Sequence, residues 1–148
     1  MTTQITEHFS LEELTHSDTA IAKGIDNTPP KEDLPNLVDV AVGLEKVRLL
    51  LGVPMHINSG YRSPELNDAV HGVHHSAHEV CWAADFVAPD YGTPLEIVKR
   101  IQESSLDFDQ VIQEGTWVHI SFAPTMRKQV LTAHFDTAGG PTTYTVGA

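Results

Sequence analysis

The chain has 148 residues and a mass of 16.2 kDa, enough for one domain with a core and too few for two comfortable ones. Apolar residues make up 41% and charged residues 20%, ordinary globular usage that indicates neither a disordered chain nor a coiled coil. Nine Lys and Arg against twenty Asp and Glu give a formal charge of −11, which argues against a phosphate-tracking surface, so nucleic acid is not an expected partner.

The N-terminus, MTTQITEHFSLEEL, has no basic start followed by an apolar run, and no stretch approaches the roughly 20 apolar residues that cross a bilayer. Cytoplasmic synthesis, no membrane span and a monomer are expected. The single cysteine, Cys81, cannot make an internal disulfide, so the fold does not depend on an oxidising compartment.

Within His8 to His16, Ser10 and Glu13 have capping-box spacing, predicting a short helical turn through Leu11 and Leu14 that acts as a lid on the core. Ser17 to Pro30, rich in Thr, Asp, Gly and Asn, reads as an ordered loop rather than an element. From Leu34 to Leu51 the residues Leu37, Val38, Ala41, Leu44, Val47, Leu49 and Leu51 suggest a helix stripe, with Gly52 placed to end it. Met55 to Asn58 is a strand candidate, and Ser59-Gly60 turns the chain so that Tyr61 and Arg62 emerge at its end. Ser63-Pro64 starts a brief helix at Glu65.

Ala83 to Val87 is the next strand. Thr93 to Glu96 is another capping box, opening a helix from Leu95 to Ser104 on a Leu95, Val98, Ile101 stripe. Phe108 to Gln113 and Trp117 to Phe122 are strands at hairpin spacing across Glu114-Gly115-Thr116. Val130 to Phe135 and Thr142 to Val146 form a last pair joined through Gly139-Gly140-Pro141. Short helices first and several short strands after them indicate an α+β fold with a largely antiparallel sheet. One domain is expected over 1–148, its core about 8–124 and its C-terminal strand pair about 128–146.

The chemistry concentrates in SGYRSPELNDAVHGVHHSAHEVCWAAD and in WVHISF. His78 is followed seven residues later by Asp85, and Ala83-Ala84 suggests a strand that carries Asp85 on a buried face, where a carboxylate needs a cation or hydrogen bonds. His119 lies in an alternating strand, pointing the same way as Ser121. Two imidazoles and a carboxylate suit Zn2+, because catalytic zinc sites use three protein ligands and leave a fourth position to water. A surface histidine near a loop and a half-exposed strand histidine are the bland alternatives. Arg62, at a strand end, is either a clamp for a carboxylate or peptide carbonyl, or a surface turn residue. His71, His74 and His75 read as a solvated histidine-rich loop.

SGYRSPELN, SAHEVCWAAD and WVHISF resemble the three signature blocks of the zinc peptidases of the M15 class. This is the group of peptidoglycan D-Ala-D-Ala carboxypeptidases and L-alanyl-D-glutamate endopeptidases that includes phage endolysins. HFSLEELTHSDTA, GIDNTPP and VLTAHFDTAGGPTTY extend the likeness over nearly the whole chain. The resemblance implies the M15 or hedgehog-like peptidase fold. It implies zinc on His78, Asp85 and His119, substrate held by Arg62 and hydrogen-bonded by Ser76, and a peptidoglycan stem peptide as partner. A phage-type lysis enzyme that reaches the wall after release fits the expected cytoplasmic synthesis. Alternatives are a virion-associated wall-penetrating peptidase and a zinc-stabilised module without turnover.

The chain departs from the family pattern at two positions. Cys81 replaces a glycine between two ligands. A thiolate binds zinc well, but a fourth protein ligand would close the open position, so a small, partly buried side chain near the site is expected. Thr116 stands where the carboxypeptidase branch carries its general base. The nearest acid is Glu114, and likeness of FDQVIQEGTWVH to the phage-type branch favours Glu114 over Asp109 as the base.

Overall fold

The helix expected over Leu34–Leu51 has those bounds in a computed structural model of the chain, which describes residues 3–73, 75–136, 138 and 140–148. A proline sits in its first turn, where the missing N–H leaves no hydrogen bond broken, and Gly52 closes it in the left-handed conformation at φ 72°. This helix, α3, buries Leu37, Val40, Ala41, Leu44, Val47 and Leu51. Val38 and Leu49, expected on that stripe, are 44% and 85% exposed. Val38 stands one residue from Leu37, about 100° around the helix, and so leaves the buried face.

The capping-box turn is α1 (Leu11–Thr15), with both reciprocal bonds between Ser10 and Glu13 in place. Phe9 just before it and Leu14 within it are fully buried, so it belongs to the core rather than lying over it as a lid. The segment read as a loop holds a second helix, α2 (Asp18–Lys23). Ser17 caps it by accepting from the Ala20 amide, and Gly24 ends it at φ 65°. Those residues are ordinary start and stop signals, but six residues give too little apolar periodicity to show between them. The next helices are α4 (Pro64–Ala69), capped by Ser63, and α5 (Pro94–Glu103), opened by the Thr93–Glu96 box. On α5 the buried residues are Ile97, Val98 and Ile101, while Leu95 is 36% exposed.

One sheet holds all six described strands: β1 (His56–Ser59), β2 (Ala83–Val87), β3 (Gln110–Gln113), β4 (Val118–Ser121), β5 (Gln129–His134) and β6 (Thr143–Val146). Their spatial order is β1-β2-β4-β3-β5-β6. Every pairing is antiparallel except β3 with β5. That parallel step arises because the chain leaves β4, passes the start of β3 and enters β5 on its far side. The turn expected to join the last pair includes Gly139, which lies outside the described residues.

Strand alternation divides the sheet. Ala84, Phe86, Val111, Val118, Ile120 and Val130 pack in the core with α3 and α5, and full burial of each larger side chain contributes about 1.5–3 kcal/mol. Asp85, Ile112, His119, Ser121 and Leu131 occupy the opposite face. No described helix is long and apolar enough to cross a membrane.

Candidate metal centre

Asp85 and His119 are register partners across the β2–β4 pair, so their side chains leave the sheet together. His78 comes from a short 3-10 turn, Ala77–Val80, that precedes β2. Ser76 caps that turn, accepting from the His78 amide at 3.2 Å while the Glu79 carboxylate accepts from the Ser76 amide. This use leaves the Ser76 O–H free to donate elsewhere. The three side chains converge: His78 Nε2 lies 3.1 Å from Asp85 Oδ1 and 3.2 Å from His119 Nδ1, and His119 Nδ1 lies 3.0 Å from Asp85 Oδ1.

Those distances fit a divalent cation. Ligands at the usual zinc distances of roughly 2.0–2.1 Å stand about 3.3 Å apart on one face of a tetrahedron. Proton accounting points the same way. His78 Nδ1 is 2.7 Å from the Gly60 carbonyl, which can only accept, so the ring proton is on Nδ1 and Nε2 presents a lone pair. Burial pushes the His78 imidazole below its ordinary pKa, opposing a second proton despite Asp85 beside it. At most one proton, on His119, is then left for three mutually adjacent acceptor atoms. A shared cation satisfies all three. The Nδ1 bond to Gly60 is also the kind of outer support that fixes a metal-binding imidazole. Burial alone would raise Asp85, but the two imidazoles hold its carboxyl well below the usual carboxylate range.

Arg62 reaches the same place from the turn after β1. Its amide donates to the His78 carbonyl at 3.1 Å. Burial lowers the pKa of its guanidinium, while Asp85, Glu79 and Glu114 oppose that shift. Arg62 Nε is buried with no hydrogen-bond partner among the described residues, a condition that costs about 1–3 kcal/mol until an acceptor arrives. A cavity of about 270 Å3 opens beside it, lined by His16, Asp18, Asn58, Ser59 and Leu66 among others. A second cavity, about 300 Å3 between Leu106, Phe108, Val130 and Val146, contains none of these groups.

Glu114 follows Ile112 by two residues, and Ile112 is paired with His119, so strand alternation puts Glu114 on the donor face. Its amide donates to the Trp117 carbonyl at 3.0 Å. Its carboxyl is raised above the ordinary value, by burial first and by Asp85, with His119 and Arg62 opposing. Thr116 is exposed at the hairpin tip. Asp109 is committed elsewhere: Arg127 donates from Nε to Oδ1 and from Nη2 to Oδ2, both at 2.9 Å, and the Thr125 hydroxyl donates to Oδ1 at 2.6 Å.

Cys81 does not join the donor atoms, which come from His78, Asp85 and His119 alone among the described residues. It is fully rather than partly buried, and its side chain belongs to the hydrophobic core. Its backbone is left-handed, φ 63° and ψ 29°, which explains a preference for glycine at this position. His71 and His75 are exposed and stand outside the cluster, and His74 lies outside the described residues.

Asn27 went unnoticed in the sequence, and Gly60 was read there only as a turn residue, not as the carbonyl that holds His78. Asn27 Nδ2 donates to the carbonyls of Thr15 and Tyr61, and Asn27 Oδ1 accepts from the Ser63 amide at 2.8 Å. It therefore grips the backbone on both sides of Arg62. An asparagine in GIDNTPP carries no periodicity signal; only its position between two prolines and a glycine marks an ordered loop.

A family model described as Peptidase M15 matches residues 7–121, a span that contains Arg62, Ser76, His78, Asp85, Glu114 and His119. No curated protein matches the chain.

Proposed function

We propose, from the premise that this chain belongs to the peptidase M15 family, that it is a zinc enzyme cutting peptide bonds in peptidoglycan stem peptides, as a phage-type endolysin does. In this reading it is made in the cytoplasm and acts on the wall after release. The observation that carries the zinc reading is the triangle of donor atoms with edges of 3.0–3.2 Å, in which the proton of His78 is already committed to Gly60. His78, Asp85 and His119 would hold the ion.

When bound, zinc supplies Lewis acidity that brings the pKa of a water towards about 7 and polarises a scissile carbonyl. Arg62 binds the acidic peptide, its unpaired Nε and the rest of its donor fork meeting a substrate carboxylate or carbonyl. The hydroxyl of Ser76 donates to the same substrate. Glu114 takes the water proton on a carboxylate oxygen and delivers it to the leaving amine. Its raised pKa brings it closer to neutrality, where a general base works best. Asn27, holding both neighbours of Arg62, fixes the backbone from which Arg62 projects and so reduces the ordering needed on each turnover.

The test is mass spectrometry of purified peptidoglycan after incubation with zinc-loaded wild type, alongside Glu114→Gln. New peptide termini made by the wild type identify the bond as L-Ala to D-Glu, D-Ala to D-Ala or a cross-link. Glu114→Gln keeps its zinc and loses about 10²- to 10⁴-fold in rate, whereas His78→Ala and His119→Ala lose the metal itself. No cleavage of walls of several bond chemistries by the zinc-loaded wild type would overturn the reading.

A further inference from the structure

The strand register lays out two neighbouring rows of side chains on the donor face. One row contains Asp85 and His119 and continues through Ile112, Leu131 and Val146 to the β6 edge. The next row contains Trp117, Glu114, Ala133 and Tyr144. Ala133 and Tyr144 are register partners, and Glu114 comes one residue after the Gln113–Thr132 pair, level with Ala133. Two interstrand steps, roughly 9.6 Å, separate the backbones of Glu114 and Tyr144. Only the methyl group of Ala133 stands between them, so two long side chains converge above it.

Electrostatics agree with this placement: the Tyr144 phenol is raised by burial first and then by the charge of Glu114. Tyr144 is 44% exposed, and its hydroxyl makes no hydrogen bond among the described residues. Phe135 closes the same corner, with its ring against Gly115 at the hairpin tip. The family match ends at Ser121, the last residue of β4, so Tyr144, on β6, and Phe135, the residue after β5, lie beyond it. Arg62 enters the site from the β1 side of His119, and Tyr144 from the β6 side. A peptide held by both passes over His119 and Glu114.

We propose that Tyr144 is a specificity-determining residue of this site, its hydroxyl hydrogen-bonding the extended peptide substrate on the side of His119 away from Arg62 while its ring walls that subsite. The proposal rests on the peptidase reading above and deepens it. Tyrosine suits the task because it combines an apolar body with a donor and acceptor at its tip. One such bond to substrate, formed equally in the ground state and the transition state, changes KM and leaves kcat alone.

The experiment compares wild type and Tyr144→Phe on a soluble disaccharide-pentapeptide prepared from peptidoglycan. It measures KM and kcat for the zinc-loaded proteins, Kd for the zinc-stripped proteins, zinc content and Tm. The expected result is a rise of about 3- to 10-fold in both KM and Kd, with kcat, zinc content and Tm unchanged. Unchanged KM and Kd overturn the proposal, and so does a loss confined to Tm or zinc, which would make Tyr144 structural. If the wild type binds the peptide but cleaves nothing, the peptidase reading falls and the Kd comparison alone decides for or against Tyr144. If the zinc-loaded wild type cleaves nothing and the zinc-stripped wild type does not bind the peptide, both are overturned.

Discussion

Gly60→Ala should damage the stability of the fold and the metal centre together, and the structure gives the size of the effect. A Cβ at Gly60 would lie 2.1 Å from the Leu14 carbonyl oxygen, 2.8 Å from its carbon and 3.0 Å from Leu14 Cα. These are backbone atoms, so no side-chain rotation relieves the clash. They are also anchored: the Tyr61 amide donates to the Leu14 carbonyl at 2.8 Å, and the Leu14 side chain is fully buried. Either α1 or the turn after β1 has to move. Overpacking of this kind costs about 1–3 kcal/mol, and losing the hydrogen bond adds about 0.5–1.5 kcal/mol. The total, about 1.5–4.5 kcal/mol, lowers Tm by roughly 3–18 °C for a domain of this size. The same movement displaces the Gly60 carbonyl that holds His78 Nδ1 at 2.7 Å, and losing such support weakens metal binding about 10- to 100-fold. Thermal unfolding followed by circular dichroism, together with zinc competition against a chelator, measures both. Gly92→Ala is the control for the metal centre, because there the nearest atoms, from 2.9 Å, belong to the side-chain end of Glu96 in the α5 capping box and none to backbone. A Gly60→Ala protein with wild-type Tm and zinc affinity would refute the reasoning.

The thiol of Cys81 is fully buried and its pKa is pushed up to about 12, by burial and then by the charge of Asp33, so Ellman's reagent should leave it unmodified at pH 8 until the protein is unfolded. Cys81→Gly should keep its zinc and be at least as stable as Cys81→Ala, since relief of the left-handed backbone is worth about 1–2 kcal/mol; comparison of urea midpoints checks this, and loss of metal would make the thiol a ligand. Hydrogen bonds from Arg127 hold Asp109 well below the usual carboxylate range, so its contribution is fully present above the unfolded pKa of about 3.9 and is lost as pH falls below it. The gap in urea midpoint between wild type and Arg127→Ala should therefore narrow from pH 5 to pH 2, and a constant gap would contradict this account.

Long or punctuated elements were legible in the sequence because local signals and tertiary burial agreed there. The bounds of α3 and β2, the capping boxes of α1 and α5 and the β3–β4 hairpin all follow from spacing alone. Val38, Leu49 and Leu95 misled because an apolar residue beside a helix stripe reads like one on it, and only packing against the sheet decides which arc is buried. The six residues of α2 were hidden in polar loop composition. His78, Asp85 and His119 could be named from their residue types and flanking strands, and the register supplied what spacing could not, the face-to-face pairing of Asp85 with His119. Asn27 and the role of the Gly60 carbonyl were missed because the side chain of Asn27 bonds to backbone atoms and Gly60 acts through its own, and such pairings are a matter of tertiary approach. Thr116 drew attention as a departure, yet hairpin geometry turns it to solvent and leaves Glu114 on the donor face.

The pairing of Asp85 with His119 also bears on how the sheet finds its correct alignment. Side chains alternate along a strand, so a slip of one residue between β2 and β4 would send one of these two groups to the helix-covered side. His78 and Asp85 are close neighbours in the chain and can meet a metal before the sheet has formed. The third donor arrives only when β4 docks in the native alignment. A metal that binds all three therefore adds its binding free energy to that alignment and withholds part of it from every slipped one. Zinc would then act as a proofreader of strand assembly as well as a participant in hydrolysis.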